Sequence, residues 1–191
     1  MKAILISIRP RHNKNILNEI KTLEIRKKFP KDYVGWVYIY NTKTSKDGVL
    51  KLAYIGNKLE FVLSYDKTSK YQGKVVARFW CDKVEEIIDN DDNTNTTKTL
   101  NEQEILEKSC LAEDELVNYL PFSSLNDKCE WVLGYAIHIT KLEIFNKPKE
   151  LKEFFVYSHT VSGIGFKGEK KQFEILKPLT NAPQSWCYIE V

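Results

Sequence analysis

The chain is poor in the residues that build metal sites and cross-links: its 191 residues hold four cysteines and three histidines. Cys81, Cys110, Cys129 and Cys187 stand far apart with no CxxC pair, which argues against both a disulfide framework and a zinc knuckle. The expectation is reduced thiols in a cytoplasmic protein, with no metal and no cofactor. His12, His138 and His159 share no ligand spacing, and no Ser/His/Asp order stands out. Long apolar runs are missing too. Nothing approaches the roughly 18 residues of a membrane span, and the apolar stretch 3–8 is too short for a signal core and lacks a cleavage site after it. Gly163-x-Gly165-x-x-Gly168 has the letters of a dinucleotide fingerprint, but it follows no clear strand and opens no helix. No repeat and no linker divides the chain. Even a charge excess is missing, since 29 Lys and Arg face 26 Asp and Glu for a net +3.

What is present is the profile of a soluble globular domain, 42% hydrophobic and 29% charged. The small net charge hides a segregation. Residues 1–81 carry 17 basic and 6 acidic side chains, whereas residues 82–130 carry 4 basic and 14 acidic. A basic region beside an acidic one is the pattern of a polyanion-binding surface with a separate acidic insert.

Periodicity places the elements. Residues 3–8 alternate as a strand that Arg9-Pro10 ends; 12–19 reads as a short helix; 21–26 alternates again; and 36–40 is a strong aromatic strand. Residues 49–55 and 59–64 flank Gly56-Asn57, a two-residue turn, as a hairpin within 41–70. Residues 74–81 form the next strand, and the polar run 89–97 reads as a mobile loop. Thr99 with Glu102 reads as a capping box opening a helix, followed by a helix over 113–120 with Leu116, Val117 and Leu120 inward. Residues 131–145 are extended, Pro148 begins a short helix through 155, 157–171 is a glycine-containing flexible loop, and 185–191 closes the chain as a strand. The pattern predicts one α+β domain over 1–191: a mostly antiparallel β-barrel with short flanking helices, interrupted by the 41–70 hairpin and an acidic helical insertion at 89–130.

Chemistry concentrates in Lys21-Thr22-Leu23-Glu24-Ile25-Arg26. Glu24 and Arg26 share a strand face, roughly 7 Å apart, and Lys21 enters just before them. A carboxylate between two cations stays ionised and fixes both, which suits recognition of a base edge and a phosphate. This stretch resembles the signature G-x-K-x-x-E-x-R of the ASCH domain, a family of PUA-like β-barrels, with Glu19 in place of the glycine. Asn18 is the expected holder of the left-handed, helix-ending conformation that glycine would take there. Residues 9–10, 36–40, 73–80, Ile144-Phe145, Pro148-Lys149-Glu150-Leu151 and Ala182-Pro183-Gln184-Ser185-Trp186-Cys187-Tyr188 also resemble the family. The resemblance implies a PUA-like fold and a cleft lined by Lys21, Glu24 and Arg26 that binds RNA. One branch is similar to an amidohydrolase of N4-acetylcytidine that uses a threonine where this chain has Glu24. Ribonuclease activity is also attributed to the family.

Three readings follow. In the first, Arg9, Lys21 and Arg26 hold phosphate or base acceptors, Glu24 accepts from a base amino group, and Gln184 and Ser185 read a base edge. Trp36, Tyr40 and Trp186 stack on the RNA or nucleotide, and because the cations neutralise phosphate, affinity for short single-stranded RNA falls steeply with salt. In the second, a hydrolase of RNA or of a modified nucleoside uses Lys21 and Glu24 as an acid–base pair. In the third, the acidic 82–130 segment is a protein-interaction surface. On the first reading the acidic insert is turned away from the basic face.

Overall fold

The computed structural model describes residues 1–43, 48–65, 68–89, 95–120, 124–125, 131–164 and 170–191. In chain order the elements are β1 (Lys2–Ile8), α1 (Pro10–Leu17), β2 (Leu23–Arg26), β3 (Gly35–Asn41), β4 (Val49–Ile55), β5 (Lys58–Ser64), β6 (Lys74–Cys81), β7 (Val84–Asp89) and β8 (Asn95–Thr96). They continue with α2 (Glu102–Ser109), α3 (Glu113–Tyr119), β9 (Ser124–Leu125), β10 (Trp131–His138), β11 (Thr140–Lys149), a 3-10 turn (Leu151–Glu153), β12 (Phe155–Ile164), β13 (Lys170–Pro178) and β14 (Trp186–Glu190). Among the described residues the protein is mostly β, an α+β fold of curled, barrel-like sheets with three short α-helices.

A seven-stranded sheet runs β11-β6-β3-β1-β14-β12-β13, and a second sheet runs β2-β10-β7-β8 with β9 also on β10. The β1–β3 pair is parallel; the other neighbouring strands described in both sheets are antiparallel. The chain passes from the second sheet to the first between β10 and β11, where Ile139 N–H donates to Thr22 O at 2.9 Å. Alternation along β1 splits it between two cores. Ile4, Ile6 and Ile8 pack with Ile16 and Leu17 of α1 and with Val37, Ile39 and Phe79. Ala3 and Leu5 pack on the other face with Tyr38, Tyr40 and Phe154. A third core joins Leu23 and Ile25 of β2 to Ile105, Leu116 and Leu120 of the acidic segment.

Several expected elements move. The Gly56-Asn57 turn joins β4 to β5 as expected, with Gly56 at φ 60°. Of the expected 89–97 loop, Asn95 and Thr96 pair with β7, while residues 90–94 lie outside the described residues. Residues 157–171 are largely the β12–β13 hairpin rather than a loop, with 165–169 outside the described residues. Pro148 lies in β11, not in a helix; β11 is an edge strand, where a missing N–H breaks no ladder. The capping box on α2 is Asn101 with Glu104, not Thr99 with Glu102. On α3, Leu116 is buried as expected but Val117 faces solvent. No helix among the described residues is long and apolar enough to cross a membrane.

Candidate functional site

Proline at the first position of α1 sets its start and makes Arg9 the N-cap residue. The helix ends in a tight turn in which Ile20 and Lys21 N–H both donate to Asn15 O, at 2.8 and 3.0 Å. Glu19 itself takes the left-handed conformation there, at φ 59°, while Asn18 stays at φ −95°. This overturns the expectation for Asn18. Its amide is already committed, accepting from Phe61 N–H at 2.9 Å and donating to Phe61 O at 2.8 Å. A glutamate in this conformation costs on the order of 1 kcal/mol.

The turn delivers the chain into β2, where alternation sorts the side chains. Leu23 and Ile25 enter the third core, and Glu24 and Arg26 face the other way. Lys21 Nζ lies 3.2 Å from Glu24 Oε2 and donates to Ser109 O at 2.7 Å. Arg26 Nη2 reaches Glu24 Oε1 at 2.9 Å and Ser7 O at 2.7 Å. The expected carboxylate between two cations is therefore present, and it is deep: Lys21, Glu24 and Arg26 are 2%, 6% and 8% exposed. Burial pushes the Glu24 carboxyl up, but Lys21, Arg26 and His12 outweigh it and leave the group below the ordinary glutamate value. Arg26 Nε has no hydrogen-bond partner among the described residues.

These three form the floor of a cleft of about 610 Å³. Ser7 anchors its rim: its N–H donates to Ser185 O (2.9 Å) and its hydroxyl to Pro183 O (2.6 Å), which pins Gln184 and Ser185 beside the floor. Of the sequence-predicted residues the cleft gathers Arg9, Lys21, Glu24, Arg26, Gln184 and Ser185. Three others lie elsewhere. Tyr40 is buried in the same core as Phe154, and the Trp36 ring centre lies 4.0 Å from the Arg78 guanidinium carbon. Trp186 donates from its indole N–H to Lys28 O at 2.7 Å and packs on Phe29 and Tyr188. The expected aromatic platform is not assembled at the cleft because β3 runs between β1 and β6 with both its faces covered.

The cleft also holds residues that no local sequence pattern marks. Arg11 and His12 come from the first turn of α1, and Asp114, Glu115, Asn118 and Tyr119 from α3. The insert thus walls the cleft and is not turned away. Its apolar side is bound to the back of β2, which brings α3 around the end of that strand. His12 Nε2 lies 3.2 Å from Arg11 Nε, and burial together with the Lys21 charge lowers its pKa to about 4, so its imidazole is neutral near pH 7. The spacing 115, 118, 119 marks one helix face, but nothing local says what that face meets.

A second polar cluster lies outside the cleft. Buried Glu85 accepts from Thr99 Oγ1 at 2.8 and 2.9 Å, sits 2.8 Å from His138 Nε2 and pairs with Lys83 at 3.1 Å. Every charge in it has a partner, and it ties β7, β10 and the start of the insert together. No group of His, Cys, Asp or Glu among the described residues is arranged to hold a metal ion. Comparisons with protein-family models, with curated proteins and with solved structures find no match.

Proposed function

We propose that this chain is an ASCH-type, PUA-like barrel whose cleft binds one nucleotide unit, free or as part of single-stranded RNA. The observation that carries this is the floor: a buried Glu24 held ionised between Lys21 and Arg26, beside a guanidinium with one unpartnered N–H, in a cleft of about 610 Å³. That volume lies in the range of small-molecule sites, roughly 300–1,000 Å³. A fixed carboxylate accepts from a base amino group, and the Gln184 and Asn118 amides on the walls both donate and accept. Arg9 and Arg11 at the rim suit the phosphate, since the Lys21 ammonium is already committed to Ser109 and Glu24.

Binding is favoured over acid–base catalysis by Lys21 and Glu24 on the same geometry. A carboxylate whose proton affinity is lowered by two buried cations stays ionised as an acceptor and is a poor base. Titration calorimetry with the four ribonucleosides, their monophosphates and short single-stranded RNA tests the reading. Wild type should bind at least one of them, and Arg9→Ala and Gln184→Ala, both on exposed side chains, should each weaken it. Absence of binding across the whole panel would refute the proposal.

A further inference from the structure

The mouth of the cleft is bridged by one ion pair, between Arg11 at the start of α1 and Glu115 on α3. Both ends are oriented by second contacts. Arg11 Nε donates to His12 Nε2 at 3.2 Å, which presents the outer nitrogens of the guanidinium to the cleft. Glu115 Oε2 accepts from Ala112 N–H at 3.2 Å, leaving Oε1 for Arg11. The hydrogen bond from Arg11, with that of Ala112 N–H, keeps the Glu115 carboxyl below its ordinary range, so it carries its charge at neutral pH. Arg9, the other cation of this rim, is exposed.

We propose that Glu115 is a specificity-determining residue, an internal anion seated on the Arg11 guanidinium where the ligand's phosphate binds, so that binding exchanges one anion for the other. This rests on the nucleotide reading of the cleft. The exchange fixes which phosphate gains. A phosphodiester carries one negative charge and returns to Arg11 only what Glu115 gave. A phosphate monoester carries roughly −1.5 to −2 near pH 7 and brings additional charge to Arg11 and Arg9. The exchange therefore takes the same amount from either phosphate: a terminal phosphate keeps a net gain over the bare nucleoside, and an internal phosphodiester keeps none.

The test uses three forms of each ribonucleoside: the nucleoside, its monophosphate, and the methyl ester of that monophosphate. For wild type the monophosphate should bind more tightly than the other two, and the methyl ester no better than the nucleoside. In Glu115→Gln, whose amide oxygen still caps Ala112, the monophosphate and the methyl ester should each gain about three- to fivefold, as expected for an ion pair with both side chains a third or more exposed. Nucleoside affinity should not change. Arg11→Gln should lower the monophosphate towards the nucleoside, leaving only the contribution of Arg9. If Glu115→Gln leaves the ratio of monophosphate to nucleoside unaltered while both bind, the exchange is refuted and the nucleotide reading stands. If wild type binds none of the three forms, the exchange is refuted, and if it also binds no short single-stranded RNA, the nucleotide reading falls with it.

Discussion

At the scale of single residues, His12 shows how an environment rewrites a side chain. Its neighbours in the sequence are Arg11 and Asn13, and nothing in that context marks it. In the fold it is partly buried near Lys21, and its pKa drops from 6.5 to about 4. The unfolded chain then binds a proton in a window where the folded chain does not, so folding loses stability as the pH falls from 6.5 towards 4. Urea midpoints measured across that range should decline for wild type. In His12→Gln the decline between pH 6.5 and 5 should be reduced, because the Glu24 and Glu115 carboxyls titrate below the glutamate value of 4.5. Equal slopes for the two proteins would show that His12 is charged in the folded state. Glu24 makes the opposite case. Its place between Lys21 and Arg26 was legible from a spacing of three and two residues, but its depth was not, because burial is decided by Ser7, Ser109 and α3.

Among the elements, β2 is the one on which the site depends, because it faces two ways. Leu23 and Ile25 hold the insert and Glu24 and Arg26 build the cleft floor, so a shift of this strand disturbs both. Gly134 controls that shift. It lies at the irregularity in the β10–β7 pairing, and a Cβ there would meet Leu120 Cδ2 at 2.6 Å and the Arg26 carbonyl oxygen at 2.8 Å. Gly134→Ala should cost about 1–3 kcal/mol, the usual range for overpacking, and weaken ligand binding at the same time. A thermal midpoint equal to wild type would mean that β2 and α3 have room to separate. Other elements differ from their local pattern for identifiable reasons. Two overlapping capping boxes start at Thr99 and at Asn101. Buried Glu85 captures the Thr99 hydroxyl and Asn95 engages Glu102, so the second box forms. Pro148 reads as a helix start in the sequence because edge position, which makes proline harmless in a strand, is a property of the sheet.

For the whole molecule, the segregated charge has a different consequence from the one its pattern predicts. The basic N-terminal part and the acidic insert do not present separate faces; they meet in the cleft, whose lining sets Arg9, Arg11, Lys21 and Arg26 against Glu24, Asp114 and Glu115. A nearly balanced cleft does not release many counterions. Affinity for short single-stranded RNA should therefore fall gently with salt, with a log–log slope of about −1, where each neutralised phosphate of a single strand contributes roughly −0.7. Fluorescence anisotropy across a salt series measures it, and a slope several times steeper would locate the nucleic-acid contact on another face. What the sequence determined by itself was the local content: the β-rich architecture with short helices, the β4–β5 turn, and the Lys21, Glu24 and Arg26 constellation. Each follows from alternation, turn chemistry or short spacing along one strand. Only the tertiary structure decided that Trp36, Tyr40 and Trp186 pack outside the cleft, and that α3 supplies Glu115 and Tyr119 to it. The apolar backs of β2 and α3 are complementary across some 90 residues of chain, and that burial, which no local pattern encodes, carries the acidic helix face to the basic floor.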